Sequence, residues 1–350
     1  MAELVVIGTA TPAQVLNTAT FSAGPYIGAT GAIVNQGALN AVTGIYAAGY
    51  YLSVKVPGNN EFTSDVARSG LWASYDNSSN LTYAVDGYNS SYLATCTAFS
   101  YTGNSWSTLA SDASGGRNSL ISVYSAGMNL TYAIDGYTGS YVATNEAYSH
   151  NSNSWTAEAA DSAGGRRFLG GAHDSSASLA YAIDGNNGAS MALLTGYSFS
   201  ANTWTALASD GFGPRYDIGA TYNSALNVTY AYGGTASTGA VGALESYSSA
   251  TNSWTAEASD SVARSSMGFS YHVELQLAVS ATGTGPNGTS TIGNVESYSG
   301  ASNTWTFEFD TPSQVDAPGC SYDAITHYIY LIDGIIGAST PLAWVYGLVL

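Results

Sequence analysis

The stretch Tyr148-Ser149-His150-Asn151-Ser152-Asn153-Ser154-Trp155-Thr156 decides the fold, because its pattern returns along the chain. The tryptophan recurs as Trp106, Trp155, Trp204, Trp254 and Trp305, at intervals of 49, 49, 50 and 51 residues. Seven residues before each stands an aromatic residue followed by serine: Phe99, Tyr148, Tyr197, Tyr247 and Tyr298. Two residues before each stands asparagine: Asn104, Asn153, Asn202, Asn252 and Asn303. Self-similarity at a fixed period of this size marks an architecture of stacked supersecondary units. The string reads as a strand ending on the aromatic residue, a polar turn, and a new strand starting at tryptophan.

Working outward, a second marker precedes each string. Leu81-Thr82-Tyr83-Ala84-Val85-Asp86-Gly87 returns at 132–136, 181–185, 230–234 and 330–334 as a buried strand closed by a glycine turn. A third marker is arginine, since Arg68, Arg117, Arg166, Arg215 and Arg264 are 49 residues apart every time. Each unit thus reads arginine, strand, turn, strand, loop, strand, turn, tryptophan strand. Four strands fit in about 49 residues.

These residues resemble the Kelch repeat, in which a strand ending on two small turn residues is followed by an aromatic residue and a tryptophan at short fixed spacing. The resemblance covers residues 60–340 and implies an all-β, Kelch-like β-propeller of four-stranded antiparallel blades, as in the central domain of galactose-oxidase-like proteins. It departs at the family's diglycine, which here is Asp-Gly at Asp86, Asp135, Asp184 and Asp333 and Gly-Gly only at 233–234. The chain is expected to be one domain over 1–350, with regular repeats from 60 to 350 and an irregular segment at 1–59.

The last unit supplies three strands before the chain stops, so an N-terminal strand should close the ring. If residues 3–9 are the donor, 1–59 holds a degenerate first blade as well as the closing strand, and there are seven blades. This count is favoured because seven periods of 49 nearly exhaust the chain and Thr11-Pro12 echoes Thr311-Pro312. If residues 60–68 are the donor, there are six blades and an N-terminal attachment segment.

A net charge of −17, with Lys55 the only lysine, disfavours nucleic acid and anionic membrane surfaces as partners. Cys96 and Cys320 form no disulfide framework, and both read as small buried residues. No apolar run is long enough for a membrane-spanning helix, and the Met-Ala-Glu start lacks the features of a signal peptide.

Three sets of residues are candidates for chemistry. Five arginines at one position per blade would form a ring able to seat a carboxylate, a sulfate or an acidic sugar. Against this, Asp65, Asp112, Asp161, Asp210 and Asp260 precede them by three to five residues and could brace each arginine in its own loop. Trp72, Tyr88, Tyr92, Tyr137 and Tyr141 fall off the conserved phase of the repeat in or beside loops, and are the aromatic candidates for ligand contact. The resemblance to galactose-oxidase-like copper enzymes also draws attention to Cys96, Tyr141, Tyr271-His272 and His327. The four histidines otherwise fall at unrelated phases with no metal-binding spacing.

The reading that follows is a non-enzymatic surface module with no metal or cofactor, displayed on a virion or an extracellular appendage as part of a larger assembly, and binding a glycan or protein for host attachment. A carbohydrate-active or copper-dependent oxidase and an intracellular Kelch adaptor are the alternatives.

Overall fold

The computed structural model describes residues 20–23, 26–30, 66–100, 103, 105–311, 313–336, 340–341 and 345–348. Strands follow one another as antiparallel neighbours in sequence order, inner to outer, in one sheet after another. The first blade is Trp72–Asp76, Leu81–Val85, Cys96–Ser100 and Ser105–Thr108. The second is Ile121–Ser125, Leu130–Ile134, Asn145–Ser149 and Ser154–Ala157, and the third is Gly170–Asp174, Leu179–Ile183, Leu194–Ser198 and Thr203–Leu207. The fourth is Gly219–Asn223, Val228–Tyr232, Leu244–Ser248 and Ser253–Ala256, and the fifth is Gly268–His272, Leu277–Ala281, Asn294–Ser299 and Thr304–Asp310. Gly319–Asp323, Tyr328–Ile332 and Val345–Leu348 form a sixth sheet, of three described strands.

Burial explains why the strands read differently. The second strand of each blade, such as Leu130-Thr131-Tyr132-Ala133-Ile134, is covered by neighbouring blades on both faces, so polar residues nearly vanish from it. The outermost strands face solvent and alternate, with only the tryptophan tucked in. Apolar clusters fill the seams between blades: Tyr83, Val85 and Cys96 pack on Leu120, Ala133 and Tyr148 between the first two blades.

The ring closes at six. Each inner strand packs on the inner strand of the next blade, and Gly319–Asp323 packs back on Trp72–Asp76. A circuit of backbone hydrogen bonds seals the same closure around the axis. Ser119 N–H donates to the Gly70 carbonyl, Phe168 to Ser119, Asp217 to Phe168, Ser266 to Asp217, Ala317 to Ser266 and Gly70 to Ala317, at 2.7–3.4 Å. All six residues adopt left-handed φ between 51° and 59°. Repetition of a strained conformation in every blade shows that the ring geometry imposes it.

The expected count of seven blades is therefore corrected. Among the described residues before the first blade, Thr20–Ala23 and Tyr26–Thr30 pair as a two-stranded antiparallel sheet. Chain length divided by period was a poor guide, because it treats every residue as blade. The alternative closing segments, residues 3–9 and 60–65, lie outside the described residues.

The repeated motif itself is a clamp between blades. Trp155, Trp204, Trp254 and Trp305 donate their indole N–H to the carbonyls of Ala110, Ala159, Ala208 and Ala258 in the preceding blade, at 2.6–2.8 Å. The side-chain oxygens of Asn153, Asn202, Asn252 and Asn303 accept from the backbone N–H of those same four alanines. Tyr148, Tyr197, Tyr247 and Tyr298 each donate a hydroxyl to the asparagine of their own blade at 2.9 Å. One motif thus satisfies both polar groups of a neighbouring loop.

Candidate functional site

Two kinds of loop emerge on one face, here the upper face: the link from an outer strand to the next inner strand, and the link from second to third strand. The first carries the arginines and the second the Asp-Gly turns. Asp86, Asp135, Asp184 and Asp333 sit at left-handed φ of 56–59°, which aspartate tolerates better than bulky residues. The glycines after them donate backbone N–H groups to the next blade's arginine carbonyl, as Gly87 does to Arg117 at 2.9 Å.

The arginines do not form an open seat. All five are fully buried, and their guanidinium groups are spent inside the ring. Arg117 meets Asp86 of the preceding blade at 3.2 Å, Asp112 of its own loop at 2.7 Å and Glu146 of its own blade at 3.1 Å. Arg215 repeats this with Asp184, Asp210 and Glu245 at 3.1–3.2 Å. Arg166 pairs with Asp135 and Asp161 and donates to Thr195, while Arg68 pairs with Asp333 at 3.4 Å and so ties the last blade to the first. An incoming anion would have to displace carboxylates already held in low dielectric. The loop aspartates were legible as braces, except Asp65, which lies outside the described residues. The cross-blade aspartates and the glutamates were missed, because the sequence does not say that the Asp-Gly turn of one blade abuts the arginine of the next.

Several carboxylates around one guanidinium cannot all stay ionised in a buried site. Burial drives the Asp86, Asp135 and Asp184 carboxyls well above the usual range, the neighbouring arginine notwithstanding. Desolvation and the hydrogen bond with Asp112 push Glu146 up to about 7. Within one brace the carboxyls are pushed in opposite directions, Asp86 up by burial and Asp112, against its own burial, down by its hydrogen bond with Glu146 and the charge of Arg117, so the brace is a network and not a single ion pair.

The aromatic candidates are a different matter. Tyr88, Tyr92, Tyr137 and Tyr141 come together as one row across the upper face of the first and second blades. Ring centroids are 5.3 Å apart for Tyr88–Tyr92, 5.9 Å for Tyr92–Tyr137 and 5.3 Å for Tyr137–Tyr141, each packed edge to face. Tyr88 is 37% exposed and the others are half-buried. Trp72 does not join them; it lines the axial cavity with Leu71, Phe168, Asp217, Met267 and Pro318.

The row continues into a residue that sequence reading passed over. Arg167 lies with its guanidinium carbon 4.4 Å from the Tyr137 ring centre, 4.7 Å from Phe168 and 5.7 Å from Tyr141. Phe168 in turn stands 6.0 Å from Tyr216. Arg167 directly follows Arg166 and lacks a counterpart in the other units, and that break in the repeat was the signal available. Beside it, Asp217 has its carboxyl raised to about 7, by burial first and then by Asp316.

The groups singled out by the copper-oxidase resemblance are not brought together. Cys96 is buried in the first blade, Tyr141 is in the upper row, and His272 and His327 belong to the lower ends of the fifth and sixth blades. There Tyr322 stacks on His272 at 4.7 Å and meets His327 Nδ1 at 3.1 Å. Burial lowers His272 to about 4. Among the described residues no group of three or more histidine, cysteine or acidic side chains is arranged to hold a metal ion.

No family model matches the chain, and no curated protein does. Solved structures do: one titled "Structure of YjhT" superposes with a TM-score of 0.69, covering 82% of this chain and 96% of that one, at 12% identity. A likeness at that identity is one of fold. The chain is a β-propeller of four-stranded antiparallel blades, and that is where the shown relationship ends.

Proposed function

We propose that the chain is a non-enzymatic interaction module, displayed on a virion or an extracellular appendage, that binds a glycan or a protein for host attachment through its upper-face loops. The observation that carries this reading is the tyrosine row of Tyr88, Tyr92, Tyr137 and Tyr141. Four amphipathic rings left partly exposed side by side, on a rigid scaffold, suit contact with a partner that is apolar on its faces and polar at its edges. The composition agrees with this reading, because a hydroxyl-rich surface at net charge −17 resists non-specific association with polyanions. A propeller also commonly presents loops while its blades stay fixed.

The test is direct binding of the purified chain to host-cell surfaces. Replacing Tyr88 and Tyr137 by alanine together should reduce binding at least tenfold with an unchanged melting midpoint. A control pair on the opposite face, Met128→Ser with Leu226→Ser, should have no effect; both residues are exposed, at 44% and 49%. Binding that survives loss of the tyrosines but not the control changes would move the contact surface to the lower face and overturn the reading.

A further inference from the structure

We propose that Arg167 is the anion-recognition point of this face, and that the ligand it selects is a largely neutral glycan bearing an isolated carboxylate, as on a hexuronate residue. The inference rests on the reading of the tyrosine row as a contact surface and adds the chemistry of what is contacted.

Arg167 differs from the five other arginines in every respect that matters for binding. Those five are fully buried and each forms one or more ion pairs with carboxylates. Arg167 is half-buried and makes no ion pair among the described residues. Its Nε is enclosed and has no hydrogen-bond partner, and the same holds for Asn118 Oδ1 and Ser119 Oγ, which belong to the corresponding loop of the neighbouring blade. Each such enclosed polar atom left without a partner is costly in a folded protein. Asn118 exchanges backbone hydrogen bonds with Tyr137 at 3.0 Å, so these groups adjoin the tyrosine row.

Three aromatic faces hold the guanidinium in place, which limits the side-chain entropy lost when its outer nitrogens bind an anion. A planar fork matches a carboxylate bidentately. Local charge sets the ligand's valence: Asp217, on the adjoining loop, is within reach of the Arg167 charge, and Asp316 adds a second acid near Asp217. A doubly charged phosphate or a dense polyanion would meet these acids as well as the overall charge of −17, whereas one carboxylate can be met by one arginine. The flanking tyrosines then face the neutral sugars on either side of the acid.

The experiment is calorimetric titration of the full chain with three probes of one backbone: an oligosaccharide of neutral hexoses with one glucuronate, its methyl ester, and the all-neutral analogue. The acid form should bind at least tenfold more tightly than the ester. Arg167→Gln should bind acid and ester equally, at the ester's affinity, with only a small fall in melting midpoint from the lost contacts to Tyr137, Tyr141 and Phe168. Equal affinity of wild type for acid and ester overturns the inference while leaving a tyrosine-row glycan site intact. Failure of all three probes overturns it too, and leaves the cell-surface test above to decide the broader reading. The ester comparison on wild type needs no variant, so a folding defect in Arg167→Gln would not shield the proposal.

Discussion

The seam between the second and third blades and the seam between the fifth and sixth both hold an apolar cluster, but they are braced differently at the upper face. At the first, Arg166 is fully buried against Asp135 and Asp161. At the second, Thr282, Thr311 and Val315 stand where the two aspartates and the arginine would be. The backbone shows the equivalence: Gly136 N–H donates to the Arg166 carbonyl and Gly283 N–H to the Val315 carbonyl, both at 2.9 Å. The fifth and sixth blades are held by an apolar cluster of Val279, Ala281, Val295, Ile329, Leu331 and Leu348. A third seam is intermediate. Gly233 replaces the cross-blade aspartate facing Arg264, whose Nε has no partner. Both arrangements close the same ring, so the buried arginines are not indispensable to the fold. What is shared by every seam is the left-handed backbone circuit around the axis.

Breaking that comparison gives the largest expected effect. Arg166→Val alone leaves two buried carboxylates without their cation and should lower stability by about 3–5 kcal/mol in denaturant unfolding. The triple change Asp135→Thr, Asp161→Thr and Arg166→Val copies the fifth–sixth seam and should lose much less, about 1–2 kcal/mol, because no charge is left stranded. A triple variant as unstable as the single one would mean that the ion network itself, and not its internal balance, holds the seam.

A smaller effect sharpens the same point through pH. Asp217 and Glu146, raised to about 7, together with the elevated Asp86, Asp135 and Asp184, bind more protons folded than unfolded between about pH 4 and pH 7. Their contribution to stability falls as pH rises through that window, whereas His272 and His173, both lowered by burial, contribute in the opposite sense because they bind fewer protons folded than unfolded. In a His173→Gln, His272→Gln background, which removes the opposing histidines, a loss of about 2 kcal/mol between pH 5 and pH 8 is expected, well below the sum of the individual shifts because neighbouring carboxyls interact. Asp217→Asn should flatten the curve by its share. Stability that rises from pH 5 to pH 8 in that background would show the carboxylates ionised throughout.

The three markers made the fold legible, because each does a job that recurs in most blades. Trp and Asn clamp the preceding loop, and arginine and Asp-Gly meet at the seam. What stayed hidden was pairing across long sequence distance. Nothing local tells that Arg68 ends beside Asp333, and with that contact goes the difference between six blades and seven. The site was half legible. Tyrosines outside the three markers were visible as candidates, but their assembly into one row depends on adjacent blades. Arg167 was eclipsed by the regular arginine next to it. Departures from a repeat carry more about function than the repeat does, since the repeat is already accounted for by packing.

The smallest effect tests the indole clamp, which Trp155, Trp204, Trp254 and Trp305 share. Trp155 donates to the Ala110 carbonyl and Trp305 to Ala258, both at 2.8 Å, although the first joins a seam braced by a cross-blade aspartate and the second joins the one where glycine replaces it. If the clamp acts independently of the arginine network, Trp155→Phe and Trp305→Phe should each lose about 1 kcal/mol, the usual net worth of one hydrogen bond. Some apolar contact would go with the smaller ring in both cases, so the two losses should still match. If instead the brace and the clamp are coupled, Trp305→Phe should be the more damaging by 1 kcal/mol or more, because its seam lacks the second fastening. Parallel urea unfolding of the two variants distinguishes these outcomes, and a clear inequality would sink the view that each motif fastens its seam alone.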